Sequence, residues 1–138
     1  MELQRIPIIA KSLSECKEGI STIEGITIEL TKSGKANFCY STSNDYGDVF
    51  HIGLGQVLCS ADPTLIYCGL FEEGEKIRVI VYAGDEISKE RSAGEIVKSI
   101  SEILGGAGGG SPKFAQGGGP DKSKKEDAIK NVKAMIFE

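Results

Sequence analysis

Tryptophan is absent from this 138-residue chain, histidine occurs once, and proline only four times. A lone histidine excludes a multi-histidine metal centre, and nothing at ligand spacing accompanies His51. It reads as a packing or surface residue rather than a catalyst. The four cysteines, Cys16, Cys39, Cys59 and Cys68, form no CxxC pair and match no zinc spacing. Cys39 and Cys68 fall in apolar, strand-like stretches, where a free thiol behaves as a small hydrophobe, so all four are expected reduced. No apolar run approaches the ~18–20 residues of a membrane span. The first seven residues, Met1 to Pro7, lack the apolar stretch of a secretory signal. The expectation is a cytoplasmic globular domain without membrane contact, or a piece of something larger.

A large excess of positive charge is also missing. Sixteen Lys and Arg stand against twenty Asp and Glu, for a net charge of −4, which excludes a broadly basic nucleic-acid binder. The charge is unevenly placed: Met1 to Glu86 holds seven basic and thirteen acidic residues, Ile87 to Glu138 nine basic and seven acidic. That asymmetry points to a polyanion-facing surface at one end, set against the plain reading of a solvated face.

What is present is an alternation of strand and helix signals. Ile26, Ile28 and Leu30 alternate with Thr27, Glu29 and Thr31, and Ser33-Gly34 separates them from a second strand over Ala36 to Tyr40. Tyr46 to Cys59 fits both a helical face and an alternating strand; the spacing of Val49, Phe50, Leu54, Val57 and Leu58 favours a helix. Thr64 to Leu70 and Lys76 to Ala83 read as a hairpin with its turn at Phe71 to Glu75. Ala93, Ile96, Val97, Ile100, Ile103 and Leu104 form one helical stripe, with Ser88 expected as N-cap and Gly105 as left-handed C-terminal cap. A last helix is expected from the capping box Ser123-Lys124-Lys125-Glu126, with Ala128, Ile129, Val132, Met135 and Ile136 buried. The fold class is α+β (α/β): a mixed sheet of about four to five strands with helices packed on it. A lead-in at 1–24, helical or an edge strand, precedes a globular domain at 25–138.

Eight of the eighteen glycines fall between Gly105 and Pro120, a segment expected to be a glycine-rich loop between the last two helices. A flexible linker fits the glycines but not Phe114 and Gln116 in their midst. A Walker A loop fails because Asp121, not glycine, precedes Lys122-Ser123; G-x-G-x-x-G fails because Ser111 stands where its third glycine belongs. The third reading is a backbone surface for nucleic acid, since side-chain-free residues let amides approach a sugar-phosphate chain. Lys122, Lys124 and Lys125 crowd the start of the last helix, where the macrodipole disfavours cations and an anionic ligand would offset the cost. Lys98 and Lys113 would extend that patch. Phe114 either stacks on a base or anchors the segment in the core, the latter being favoured.

The run Ala93-Gly94-Glu95-Ile96, Gly105 to Pro112 and Phe114-Ala115-Gln116-Gly117-Gly118 resembles the C-terminal (C-Ala) domain family of alanyl-tRNA synthetases, within the wider DHH-associated family. A histidine typical of the phosphoesterase branch is missing, which makes an accessory domain of a DHH phosphoesterase the outside alternative. The resemblance implies a non-catalytic module that binds the tRNA elbow, where the D and T loops meet, and that dimerises in some members. Carried over, it implicates Gly108, Gly109, Gly110, Lys113, Phe114, Gln116, Gly117 and Gly118, to which Lys122, Lys124 and Lys125 are added from their own placement. Two departures stand out: Ser111 where members commonly have arginine, and Gly117 where they often have alanine. The implied partners are alanine-specific tRNA, a second copy and the remainder of an ATP-dependent alanine–tRNA ligase. ATP, magnesium and zinc would serve that parent enzyme, with no cofactor and no catalytic residue in this chain. A primarily homo-oligomerising role is the competing reading.

Overall fold

The computed structural model describes residues 6–8, 11, 19–23, 26–32, 36–42 and 47–137. Two apolar periodicities, one of strands and one of helices, are satisfied together by a sheet covered on both faces. Strands β1 (Gly19–Ile23), β2 (Ile26–Lys32) and β3 (Asn37–Ser41) precede helix α1 (Asp48–Ala61). Strands β4 (Leu65–Glu73) and β5 (Lys76–Ala83) lead through a short 3-10 turn to helix α2 (Ala93–Ile103). Then β6 (Ala107–Gly110), β7 (Phe114–Gly119), a 3-10 turn at Lys122–Lys124 and helix α3 (Lys125–Phe137) complete the order. The sheet has seven strands in the order β1-β2-β3-β4-β5-β7-β6. Only β3 and β4 run parallel, joined through α1 as a crossover; the other pairs are antiparallel.

The mixed sheet with packed helices matches the expected class, but it holds seven strands rather than four or five. Two of the additional strands come from the glycine-rich segment, which is a hairpin and not a loop: Phe114 to Gly119 pairs with Ile77 to Tyr82, and Ala107 to Gly110 pairs with Ala115 to Gly118. A third, β1, lies within the lead-in at 1–24 and pairs with β2 across Gly19–Ile23 and Ile26–Leu30. Of the rest of that lead-in only residues 6–8 and 11 are described, and Cys16 lies outside the described residues. The β4–β5 turn is tighter than expected. Glu73 pairs with Lys76, leaving the two residues Gly74 and Glu75, with Gly74 at φ +64°.

Two cores result. On one face Phe38, Ile66, Cys68, Leu70, Ile77, Val79 and Val81 pack against Ile96, Val97 and Ile100 of α2 and Ile129 and Val132 of α3. On the other, Leu65, Tyr67 and Cys39 pack against Phe50, Leu54 and Leu58 of α1. Phe50, Leu54 and Leu58 recur every four residues, which is why this segment is a helix despite its alternating pattern. Each fully buried Ile, Val, Leu or Phe contributes about 1.5–3 kcal/mol from area removed from water. Gly55 lets α1 seat closely on the sheet, since a Cβ there would stand 3.0 Å from the Tyr67 and Tyr82 side chains.

The helix ends differ in part from expectation. Ser92, not Ser88, occupies the N-cap position of α2, and Ser88 lies in the preceding 3-10 turn, its hydroxyl donating to the Asp85 carbonyl. At the other end Gly105 has the expected positive φ of +81°. Its N–H donates to the Glu102 carbonyl and that of Gly106 to the Ser101 carbonyl, the paired bonds of a Schellman cap. Ahead of α3 it is Asp121 that caps, its carboxylate accepting the Ser123 N–H at the head of the 3-10 turn Lys122–Lys124. A 3-10 turn inserted before Lys125 displaces the box from the helix end.

His51 is fully buried, as a packing residue would be. Its ring stacks on Phe71 with centroids 4.8 Å apart, and Nδ1 lies 2.8 Å from the Tyr67 hydroxyl. Cys39, Cys59 and Cys68 are buried free thiols. Burial pushes Cys59 up to about 12 and raises Cys39 and Cys68 as well, so none carries thiolate at neutral pH. Among the described residues no helix is long and apolar enough to cross a membrane.

Candidate nucleic-acid interface

Alternation along β7 divides the glycine-rich hairpin into two chemically distinct faces. Ala115, Gly117 and Gly119 point to the α2 side. Across the hairpin Gly108 faces Gly117, and a Cβ on Gly117 would lie 2.3 Å from Ser101 Oγ and 2.8 Å from Val97 Cγ1. A Cβ on Gly108 would lie 2.5 Å from that same Val97 methyl. These two glycines are therefore demanded by the close approach of α2. Ser101, fully buried, also accepts the Gly118 N–H at 3.1 Å, so this amide is already committed within the fold.

The opposite face of the hairpin stays open, because α1 packs on β4 and β5. Phe114, Gln116 and Gly118 lie here, together with Ala107 and Gly109 of β6 and Lys76 and Arg78 of β5. Gly109 is exposed with nothing within 4 Å of where a Cβ would sit. The Phe114 ring tilts against Tyr82 with centroids 4.9 Å apart, half-buried: it anchors the strand while leaving an edge accessible. Arg78 Nη2 donates to Gln116 Oε1 at 3.0 Å. Two shallow recesses flank Gln116. One of about 430 Å³ is bordered by Lys76, Arg78, Ala107 and Gly118, the other of about 320 Å³ by Gly109, Ser111 and Phe114. The strip thus combines a flat floor of small residues, a cation fork, an amide and an aromatic edge, a set able to meet phosphates and base edges.

The expected cations do not form one patch. Lys113 sits at the start of β7 and Lys122 beyond its end, about 20 Å apart for a six-residue strand. Each has a carboxylate partner: Lys113 with Asp85 at 2.7 Å, Lys122 with Glu72 at 2.7 Å, and Lys124 with Asp127 at 3.8 Å. Lys122 also donates to the Gly74 carbonyl at 3.0 Å. The ammonium of Lys113 holds the Asp85 carboxyl below its ordinary range. Lys122 and Lys124, ahead of α3, are thus compensated by neighbouring acids. Lys125 is half-buried in the first turn of α3, and Lys98 is exposed on α2.

Sequence reasoning missed Arg78, Lys76 and Ser101. The first two lie some forty residues before Gln116 and join it only through the β5–β7 pairing, which no local pattern announces. Ser101 reads as the polar side of a helical stripe, though its hydroxyl sits under the hairpin. Among the described residues no group of three or more His, Cys, Asp or Glu is placed to hold a metal ion.

The chain is similar to known proteins. Residues 55–138 match the DHHA1 domain. The chain is 50% identical over 103 residues to an alanine–tRNA ligase of Nitrosopumilus maritimus, covering 75% of this chain and 11% of that protein. It is 37% identical over 130 residues to the alanine–tRNA ligase of Cenarchaeum symbiosum, covering 94% of this chain and 14% of that protein. It therefore spans only about a seventh or less of the length of these relatives. The crystal structure of the C-Ala domain from Aquifex aeolicus alanyl-tRNA synthetase shares the fold, with a TM-score of 0.74 at 24% identity, over 80% of this chain and 99% of that one. With more than half of its length matched, the chain belongs to the DHHA1 domain family.

Proposed function

We propose that this chain is a non-catalytic tRNA-binding module of an alanine–tRNA ligase and that it meets the tRNA elbow through the open face of β5, β7 and β6. The observation that carries this reading is the strip itself: Arg78 held by Gln116 over small residues, with Lys76 on one side and the Phe114 edge on the other. Such a surface recognises backbone and shape, with no base-by-base code required. Gly108 and Gly117 support it from beneath by letting α2 press against the hairpin, while Gly109 and Gly118 keep the contact surface low and Gly110 borders the recess beside Phe114. Lys113, Lys122, Lys124 and Lys125 contribute from the ends of the strands, where a polyanion competes with the carboxylate partners of the first three. Held at its elbow, alanine-specific tRNA would be kept at high local concentration near the remainder of the ligase, where aminoacylation and editing would use ATP, magnesium and zinc.

The test is a fluorescence anisotropy titration of the chain against intact tRNA and against a minihelix lacking the D- and T-loop corner, at two salt concentrations. Preference for intact tRNA, with a salt slope of about three to five neutralised phosphates, is the expected result. Equal or absent binding of both sinks the elbow reading.

A second reading, homodimerisation, is favoured by one observation. Strand β6 (Ala107–Gly110) closes one end of the sheet with β7 as its neighbour and is largely exposed. A short, flat, glycine-rich edge can pair with a second copy. Sedimentation at two concentrations decides it, and a strict monomer at high micromolar concentration removes it.

A further inference from the structure

We propose that Glu73 is a built-in competitor for the anion Arg78 is placed to receive, and that it lowers the affinity of the open face for polyanions. The inference rests on the RNA-binding reading of that face.

Glu73 stands opposite Lys76 in the β4–β5 ladder, and Arg78 follows two residues on, so all three side chains share the open face. The Arg78 guanidinium lies between two acceptors. Its Nη2 donates to Gln116, and its Nη1 is 3.5 Å from Glu73 Oε1. That second distance is well beyond the ~2.7–2.9 Å of a charge-assisted hydrogen bond. The Glu73 side chain is 57% exposed and that of Arg78 30%. Glu73 is thus a loosely seated counter-ion, whereas Gln116 holds the guanidinium in place. A planar fork fixed in this way loses little side-chain freedom when a phosphodiester replaces the carboxylate.

The recess beside it is bordered by Lys76, Arg78 and Gln116 and floored by Ala107 and Gly118. A phosphate that pairs with Arg78 Nη1 competes with Glu73, and an exposed pair of this kind resists by at most about a factor of five. A folded RNA that also reaches the Phe114 recess, on the other side of Gln116, gains an additional contact but meets the same resistance at Arg78. Glu73 therefore weakens every polyanion that uses the Arg78 fork by about the same factor.

Anisotropy titrations of labelled intact tRNA and of poly(U), using the full chain with Glu73→Gln, Arg78→Gln or both, test this. Glu73→Gln is expected to tighten poly(U) and intact tRNA alike, by up to about fivefold, with the salt slope rising by about one. Arg78→Gln is expected to weaken both ligands and to abolish the gain from Glu73→Gln. Arg78→Lys, which keeps the charge but not the fork, is expected to show a smaller gain from Glu73→Gln and serves should Arg78→Gln fail to fold. An equal gain with and without Arg78 overturns the inference, as does no gain at all. Wild-type binding of tRNA that ignores every Arg78 variant overturns it while the RNA-binding reading stands. Absence of tRNA binding by wild type and all variants overturns both.

Discussion

Successive residues of β7 face two different environments, and the contrast shows how one low-complexity strand serves two purposes. Ala115, Gly117 and Gly119 lie under α2, where space is so short that Gly117 has Ser101 Oγ within 2.3 Å of its missing Cβ. Phe114, Gln116 and Gly118 lie on the open side, where α1 gives no cover and two recesses remain. On the covered side glycine is a packing requirement. On the open side small residues make a floor, and Gln116 with Arg78 supplies the polarity. The same residue type therefore does different physical work at adjacent positions, and composition alone cannot separate the two.

Substitution on the covered side is expected to have the largest effect. Gly117→Val drives a branched side chain into Ser101 and Val97 and should cost about 3 kcal/mol in urea unfolding, at the upper end for overpacking. Gly109→Ala, on the open side with no neighbour within 4 Å, should stay within about 0.5 kcal/mol. Similar losses from both would erase the distinction between the faces.

The open side should respond in binding and not in stability. Gln116→Ala frees the Arg78 fork and removes an amide from between the recesses, so tRNA affinity should fall about tenfold, or about 1.4 kcal/mol. The unfolding midpoint should change little. A variant that binds normally but unfolds early would assign Gln116 to the scaffold.

The smallest effect is electrostatic and belongs to the covered side. Lys133 of α3 pairs with Glu29 at 2.5 Å and lies over the Tyr40 ring, while the Tyr40 hydroxyl donates to the other Glu29 oxygen. The Lys133 hydrogen bond first, and then that of Tyr40, hold the Glu29 carboxyl below its ordinary value of 4.5. A depressed carboxyl contributes stability that is complete above 4.5 and lost as pH falls through its lowered value. Glu29→Gln should cost about 1 kcal/mol or less near neutrality, with the difference from wild type shrinking below pH 4.5. Thermal melts across that range check it, and a pH-independent difference would mean that the pair carries no net charge energy. tRNA binding at neutral pH should be unaffected.

Much of the fold was legible from period and punctuation. The α2 stripe from Ala93 to Leu104 and the cap at Gly105 follow from local rules, because a helix reports its buried face every three to four residues. β2 and β5 were equally clear, since one alternating face must be apolar. The glycine-rich hairpin was not legible as strands, because glycine carries no side-chain alternation and its pairing with β5 is a long-range event. For the same reason Arg78 could not be joined to Gln116. The lysines at 113 and 122 looked like one patch in sequence and are set apart by the length of a strand.

Local chemistry along the chain by itself determined the helices, most strands and the buried thiols, since each depends on neighbours within a few residues. Only the tertiary structure decided which face of β7 is covered, which cations meet which carboxylates, and that Arg78 and Gln116 form one site. Those outcomes depend on strand pairing and helix docking between distant residues, where the free energy of contact is set by geometry that no local window contains.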